Sequence, residues 1–192
     1  MIAILYVAFW TLTYIFIILA GYGSRHIKMV SMPYIAGIMN LAWEICAVIT
    51  NPKFWGYYPW ILLDLIIAYI GYRFLNNKKE RQIYIIVILL TTALLYFCSI
   101  LSKFTFILSV YFIDLIMAIL YILQFQKISP KLKITIAITR LFGDLFAAVE
   151  VLQSPLYELY PLVISVLICN ITYFIMAIIE KTKKTNYSII IK

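Results

Sequence analysis

Residues 83–125 read IYIIVILLTTALLYFCSILSKFTFILSVYFIDLIMAILYILQF. The stretch holds two charged side chains, Lys103 and Asp114. A bilayer core about 30 Å thick takes about 20 residues of helix, so the stretch is long enough for two crossings. The only polar break is Ser102-Lys103. The reading is therefore two apolar helices, 83–101 and 104–125, joined by a very short link and forced into an antiparallel hairpin.

The same pattern recurs on both sides. An apolar run at 2–22 closes on Gly21, Gly23 and Ser24, and one at 30–50 ends at Asn51-Pro52. Another, 57–75, runs into Asn76, Asn77, Lys78 and Lys79. After Ser129-Pro130 come 134–153, stopped by Ser154-Pro155, and 160–179, ahead of Lys181, Lys183 and Lys184. Asn-Pro, Ser-Pro and paired glycines punctuate helices. Seven segments thus fill the 192 residues, 65% of them hydrophobic and 12% charged, with mean hydropathy +1.00. Ordinary globular domains are about 45–50% apolar and about 25% charged. A water-facing shell cannot be made from this composition, and short loops leave no room for a soluble nucleotide-binding module. The expectation is one all-α domain over 1–192, a polytopic integral membrane protein built as a seven-transmembrane-helix bundle. The first run has no basic residue before it and no clear small-residue cleavage motif before Arg25, so it reads as a retained helix rather than a signal peptide.

Net charge is +8, and its distribution decides what it means. Arg25, Lys28, Arg73, Lys78, Lys79 and Arg81 fall in or beside the first and third loops. Lys127, Lys131 and Lys133 fall in the fifth, and Lys181, Lys183, Lys184 and Lys192 in the tail. Only Lys53 and Lys103 lie in the even loops. The positive-inside rule then places the N-terminus outside and the C-terminus in the cytoplasm. Nucleic acid is not needed to explain the basic pI. The bilayer is the expected partner, as a multi-pass protein of a bacterial inner membrane or the endoplasmic reticulum.

Six ionisable groups fall inside the segments: Glu44, Asp64, Asp114, Arg140, Asp144 and Glu150. Charges at membrane depth are costly, face the protein interior and mark functional candidates. At about 1.5 Å per residue, Glu44 lies roughly 9 Å and Asp64 roughly 10 Å below the outer end. Asp114, Asp144 and Asn170 fall near the midplane, Glu150 shallower and Arg140 deeper. One arginine cannot neutralise five carboxyls. A carboxylic acid that keeps its proton in a dry pocket is a usable Brønsted acid.

Structural roles stand beside this one. Arg140 and Asp144 are four apart on one helix and suited to pair. Asp114 could bond a neighbouring helix, and Glu150 could reach the outer interface. Glu44 and Asp64 are the stronger functional candidates. Asn40, Trp43 and Glu44 share a helical face, with Asn40 one turn from Glu44, and Trp60 lies one turn before Asp64. Trp43, Trp60 and Tyr173 are the aromatic residues expected beside the acids, where ring faces stabilise cations.

Absences narrow the chemistry. No Walker loop, HExxH, GxSxG or paired acidic DDxxD motif is present. The last segment has no lysine before Lys181 to hold a retinal-type group. Cys46, Cys98 and Cys169 lie in apolar runs without metal spacing and read as buried small hydrophobes. The single histidine, His26, argues against zinc. Neither a metal nor a cofactor is implied. A small proton-coupled transporter built on the same carboxyls is one alternative, although no internal repeat supports it. A non-catalytic membrane subunit is another.

Several strings also carry a resemblance. Met39-Asn40-Leu41-Ala42-Trp43-Glu44-Ile45 resembles the asparagine-x-alanine-tryptophan-glutamate signature on the second helix of the fungal membrane-bound terpene cyclases. Those are the small seven-helix enzymes of indole-diterpene and meroterpenoid pathways, of the paspaline and pyripyropene type. Thr139-Arg140-Leu141-Phe142-Gly143 resembles their sixth helix, and Tyr160-Pro161-Leu162-Val163 with Asn170 and Tyr173 their seventh. Trp60 and Asp64 agree more loosely. The likeness covers the whole layout, on about a dozen residues. It implies protonation-initiated, metal-free cyclisation of a lipophilic prenyl substrate in the membrane. The family's proton-donating glutamate and aspartate correspond to Glu44 and Asn170, and Asn170 cannot supply a proton. Either Glu44 acts with a different carboxyl, Asp64 or Asp144, or the chemistry differs; the expected catalytic residues are Glu44, Asp64 and Asp144. Asn40, Trp43, Trp60, Asp114, Arg140, Asn170 and Tyr173 are expected to bind substrate.

Overall fold

The computed structural model describes residues 2–23, 32–75, 77–128 and 132–190. Arg25, His26, Lys28, Lys131, Lys192 and the Ser129-Pro130 break lie outside the described residues. Seven α-helices are present among the described ones: α1 (Ile2–Gly23), α2 (Tyr34–Thr50), α3 (Tyr57–Phe74), α4 (Lys78–Leu101), α5 (Lys103–Leu123), α6 (Lys133–Leu152) and α7 (Tyr160–Ile190). Short 3-10 turns occupy Phe125–Lys127 and Tyr157–Leu159.

Local chemistry sets the boundaries. Pro33, at φ −53° and ψ 131°, precedes α2 and its carbonyl accepts the first helical bond from the Gly37 amide at 3.0 Å. A proline ring fixes φ and disfavours helix in the residue before it, so α2 starts at Tyr34 rather than near Val30. Asn77 caps α4 by accepting from the Glu80 amide at 2.8 Å, which recruits a charged first turn ahead of the apolar run. Ser102 is the single residue between α4 and α5. It is extended, its amide donates to the Cys98 carbonyl, and its side chain accepts from the Thr105 amide at 2.9 Å. One serine thus ends one helix and starts the next, and the two helices pack as the expected hairpin. α7 runs well past the expected end near Ile179 because no glycine or proline follows to stop it.

The packing is a ring. α1 lies against α6 and α3, α6 against α7, α7 against α5, α5 against α2, and α2 against α3. α4 sits outside this ring, touching α2 and α5. Its outward face is accordingly greasy, with Leu89, Leu90, Leu94, Phe97 and Ile100 each more than half exposed. Meanwhile Asn40, Glu44, Asp64, Arg140, Asp144 and Asn170 are all buried. A soluble protein hides its leucines and shows its charges; here α4 exposes leucines while Glu44, Asp64, Arg140 and Asp144 are buried.

Four helices are long and apolar enough to cross a membrane: α1, α4, α5 and α7. α2 is apolar but shorter, at 17 residues. α2, α3 and α6 carry the inward-facing polar residues Asn40, Glu44, Asp64, Arg140 and Asp144, which lowers their apolar content and directs one side to the bundle interior. One lysine counted above as a loop charge belongs elsewhere. Lys133 is buried, ion-paired to Glu180 at 2.7 Å, bonded to the Phe125 carbonyl at 3.1 Å, and set 3.9 Å from the Phe125 ring centre. It clamps α6 to α7.

Candidate functional site

The buried polar groups fall into two networks that share the ring's interior. The first joins α1, α2 and α3. Asn40 lies one turn before Glu44, and its amide nitrogen donates to both carboxylate oxygens of Asp64, at 2.9 and 2.7 Å, and to the Tyr14 hydroxyl at 2.8 Å. Tyr14 donates onward to Glu44 Oε1 at 3.3 Å. Glu44 Oε2 is buried without a hydrogen-bond partner.

The polarity of the chain is fixed by its donors. An amide nitrogen has two hydrogens and cannot accept, so Asn40 donates to Tyr14, and Tyr14 donates to Glu44 Oε1. A spacing of one turn would let Asn40 orient Glu44 directly. It does so only through Tyr14, because Asp64 and Tyr14 take both amide hydrogens.

Trp60 closes this network from above. It is buried, its indole nitrogen donates to Thr11 Oγ1 at 3.0 Å, and its ring meets those of Tyr6 and Tyr14 edge-on at 5.3 and 6.3 Å.

The second network joins α1, α5, α6 and α7. Arg140 and Asp144 pair at 4.0 Å through Nε and Oδ2, as their spacing predicts. Asn170 donates to the same Oδ2. The guanidinium lies over the Tyr121 ring at 4.3 Å and near the Trp10 ring at 5.9 Å. Tyr173 packs edge-on against Tyr121 at 5.2 Å. A buried cation between a carboxylate and ring faces is stabilised without water.

Beside these networks lies a cavity of about 410 Å³. Its walls come from the ends of α2 and α6, the starts of α1, α3, α5 and α7, and the turns between them. Three acids line it: Asp114, Asp144 and the exposed Glu150. Tyr6, Trp43, Phe54, Tyr57, Phe106 and Tyr111 contribute rings, and aliphatic side chains most of the rest. No lysine, arginine or histidine lines it among the described residues. Neither ion pair seen among the described residues involves Asp114, Glu44 or Asp64. Both contacts of Asp144 fall on Oδ2.

The structure thus divides the residues singled out from the sequence. Trp43, Asp114 and Asp144 face the cavity. Glu44, Asp64, Asn40 and Trp60 are brought together but are not on its wall. Arg140 and Asn170 hold Asp144 from behind, and Tyr173 packs behind Tyr121. Cys46 is buried, with its thiol on the Thr92 carbonyl at 3.2 Å, whereas Cys98 and Cys169 are only half buried, contrary to expectation; all three are free.

Tyr14, Trp10 and Tyr121 were not legible in the sequence. They belong to a chain with 16 tyrosines and 4 tryptophans, and nothing local separates a hydroxyl that links Asn40 to Glu44 from one at a membrane interface. Among the described residues, no group of three or more His, Cys, Asp or Glu is placed to hold a metal ion. No family model, curated protein or solved structure matches the chain.

Proposed function

We propose that the chain is a multi-pass membrane enzyme that cyclises a lipophilic prenyl chain by protonation, within the cavity and without metal or cofactor. The observation that carries this reading is one cavity with carboxyls and aromatic rings but no lysine, arginine or histidine on its wall among the described residues. Protonation of an alkene or epoxide needs an acid in contact with it, and the resulting cation needs ring faces and anionic partners rather than water. Asp114 and Asp144 are the buried or half-buried acids on the wall. Asp144, braced by Arg140 and Asn170, suits the role of anionic stabiliser and final proton acceptor. Asp114 has no such brace and suits the role of donor. The likeness of Asn40–Glu44 to the terpene cyclase signature supports the same class of reaction, with Glu44 in the buried network rather than against the substrate.

In this reading all seven helices cross the membrane, with the N-terminus outside, the C-terminus cytoplasmic and the cavity in the outer half. The substrate is a lipophilic small molecule entering from the bilayer.

The test is incubation of membranes containing the protein with prenylated and epoxyprenylated aromatics, followed by mass spectrometry. Cyclised product is expected, with turnover reduced about 100-fold or more in Asp114→Asn, the range for loss of a general acid. Product lost in Glu44→Gln but kept in Asp114→Asn moves the donor to Glu44. No product from any such substrate, with the protein folded, overturns the reading.

A further inference from the structure

We propose that the cavity is a binding site for a long-chain organic ammonium ion, a ligand that needs no reaction to be held there. The inference rests on the wall chemistry and not on cyclisation.

Size and shape come first. About 410 Å³ lies in the range of sites for organic molecules and is far larger than a bare metal ion requires. Aliphatic residues such as Val110, Val151, Leu159 and Val163 form one part of the lining. That part matches an alkyl chain.

The remaining lining residues are mostly aromatic and acidic. Trp43 and Tyr57 stand at 90° with ring centres 5.6 Å apart, and Phe54 meets Tyr57 at 4.6 Å and 58°. These rings, each on the cavity wall, are edge-on or tilted to one another rather than stacked. A cluster of aromatic rings lining one cavity is the surface that holds an alkylated ammonium group. Asp114, Asp144 and Glu150 share the enclosure. Arg140 approaches Asp144 only through Oδ2, so one guanidinium stands behind a wall of three acids.

Three ligand classes can be compared on this wall. An anion meets carboxyls with no basic side chain to receive it. A neutral lipid fills the aliphatic part and leaves the acids unmatched. An ammonium ion with a hydrocarbon tail satisfies both parts, and its methyl groups lie against the rings while the charge faces Asp114.

The purified protein in a non-ionic detergent would be titrated with decyltrimethylammonium, decanol and decanoate, each below its micelle concentration. Tryptophan fluorescence supplies the signal, since Trp43 lines the cavity. Saturable ammonium binding is expected, about tenfold or more tighter than decanol, with no saturable binding of decanoate. Asp114→Asn should weaken the ammonium about tenfold and leave decanol unchanged. Trp43→Leu, followed by calorimetry, should weaken the ammonium likewise. Equal affinity for ammonium and decanol overturns the proposal. So does ammonium binding that is untouched in both variants, provided their unfolding transitions match that of the parent. Cyclisation with no ammonium affinity, or affinity with no cyclisation, separates this inference from the enzymatic reading.

Discussion

Asn40 holds two acids in place with one amide group, and that makes it the residue on which the first network depends. Its hydrogens go to Asp64 and Tyr14, and the Tyr14 hydrogen goes to Glu44. Replacing Asn40 with leucine removes both donors at once. Asp64, itself 1% exposed, then has no partner in the network, and a buried polar group stripped of its donor costs about 1–3 kcal/mol. Asn40→Leu should therefore lower unfolding stability by about that amount, measured as equilibrium unfolding in detergent. Asn40→Leu with Asp64→Leu should recover much of the loss, because the stranded acceptor is gone as well. A double variant no more stable than the single one contradicts this assignment.

At the scale of helices, the close approach of α1 to α6 depends on a missing side chain. A Cβ added at Gly143 would lie 2.8 Å from Trp10 Cδ1 and 2.9 Å from Nε1. Further along the same interface, Thr13 donates to Thr139 Oγ1 at 2.9 Å. The indole has no flexible end to move aside, and its ring also borders Arg140. Gly143→Ala should destabilise by about 1–3 kcal/mol, the range for overpacking, read from the same unfolding measurement. Adding Trp10→Phe should restore part of it by withdrawing the pyrrole edge. Small residues at helix contacts matter more in lipid than in water, because lipid tails are as apolar as leucine and association comes from close packing and interhelical bonds.

For the molecule as a whole, the arrangement to test is which end of the bundle faces out. Along the sequence the basic residues concentrate in the odd-numbered loops and the tail, whereas Lys53 and Lys103 fall in the even ones. With Cys46, Cys98 and Cys169 replaced, a cysteine at Lys103 should react with a membrane-impermeant maleimide in intact cells. A cysteine at Lys78 should react only after permeabilisation. The opposite labelling pattern reverses the proposed orientation. Lys133 weakens the charge asymmetry slightly, being paired with Glu180 rather than lying in a loop, but the remaining excess still lies on one side.

Composition and hydrophobic run length determined the class of the chain: all helical, greasy outside, with helix breaks at Asn51-Pro52 and Ser102. Those are local matters of backbone chemistry and hydropathy, so a linear reading reaches them. The i to i+4 pairing of Arg140 with Asp144 was legible for the same reason, since both sit on one helix. The partnership of Tyr14 with Asn40, the stacking of Tyr121 on Arg140, and the placing of Asp114 rather than Glu44 on the cavity wall were decided only in three dimensions. Each depends on how α1, α2, α5 and α6 are rotated about their own axes, and packing against neighbouring helices sets that rotation.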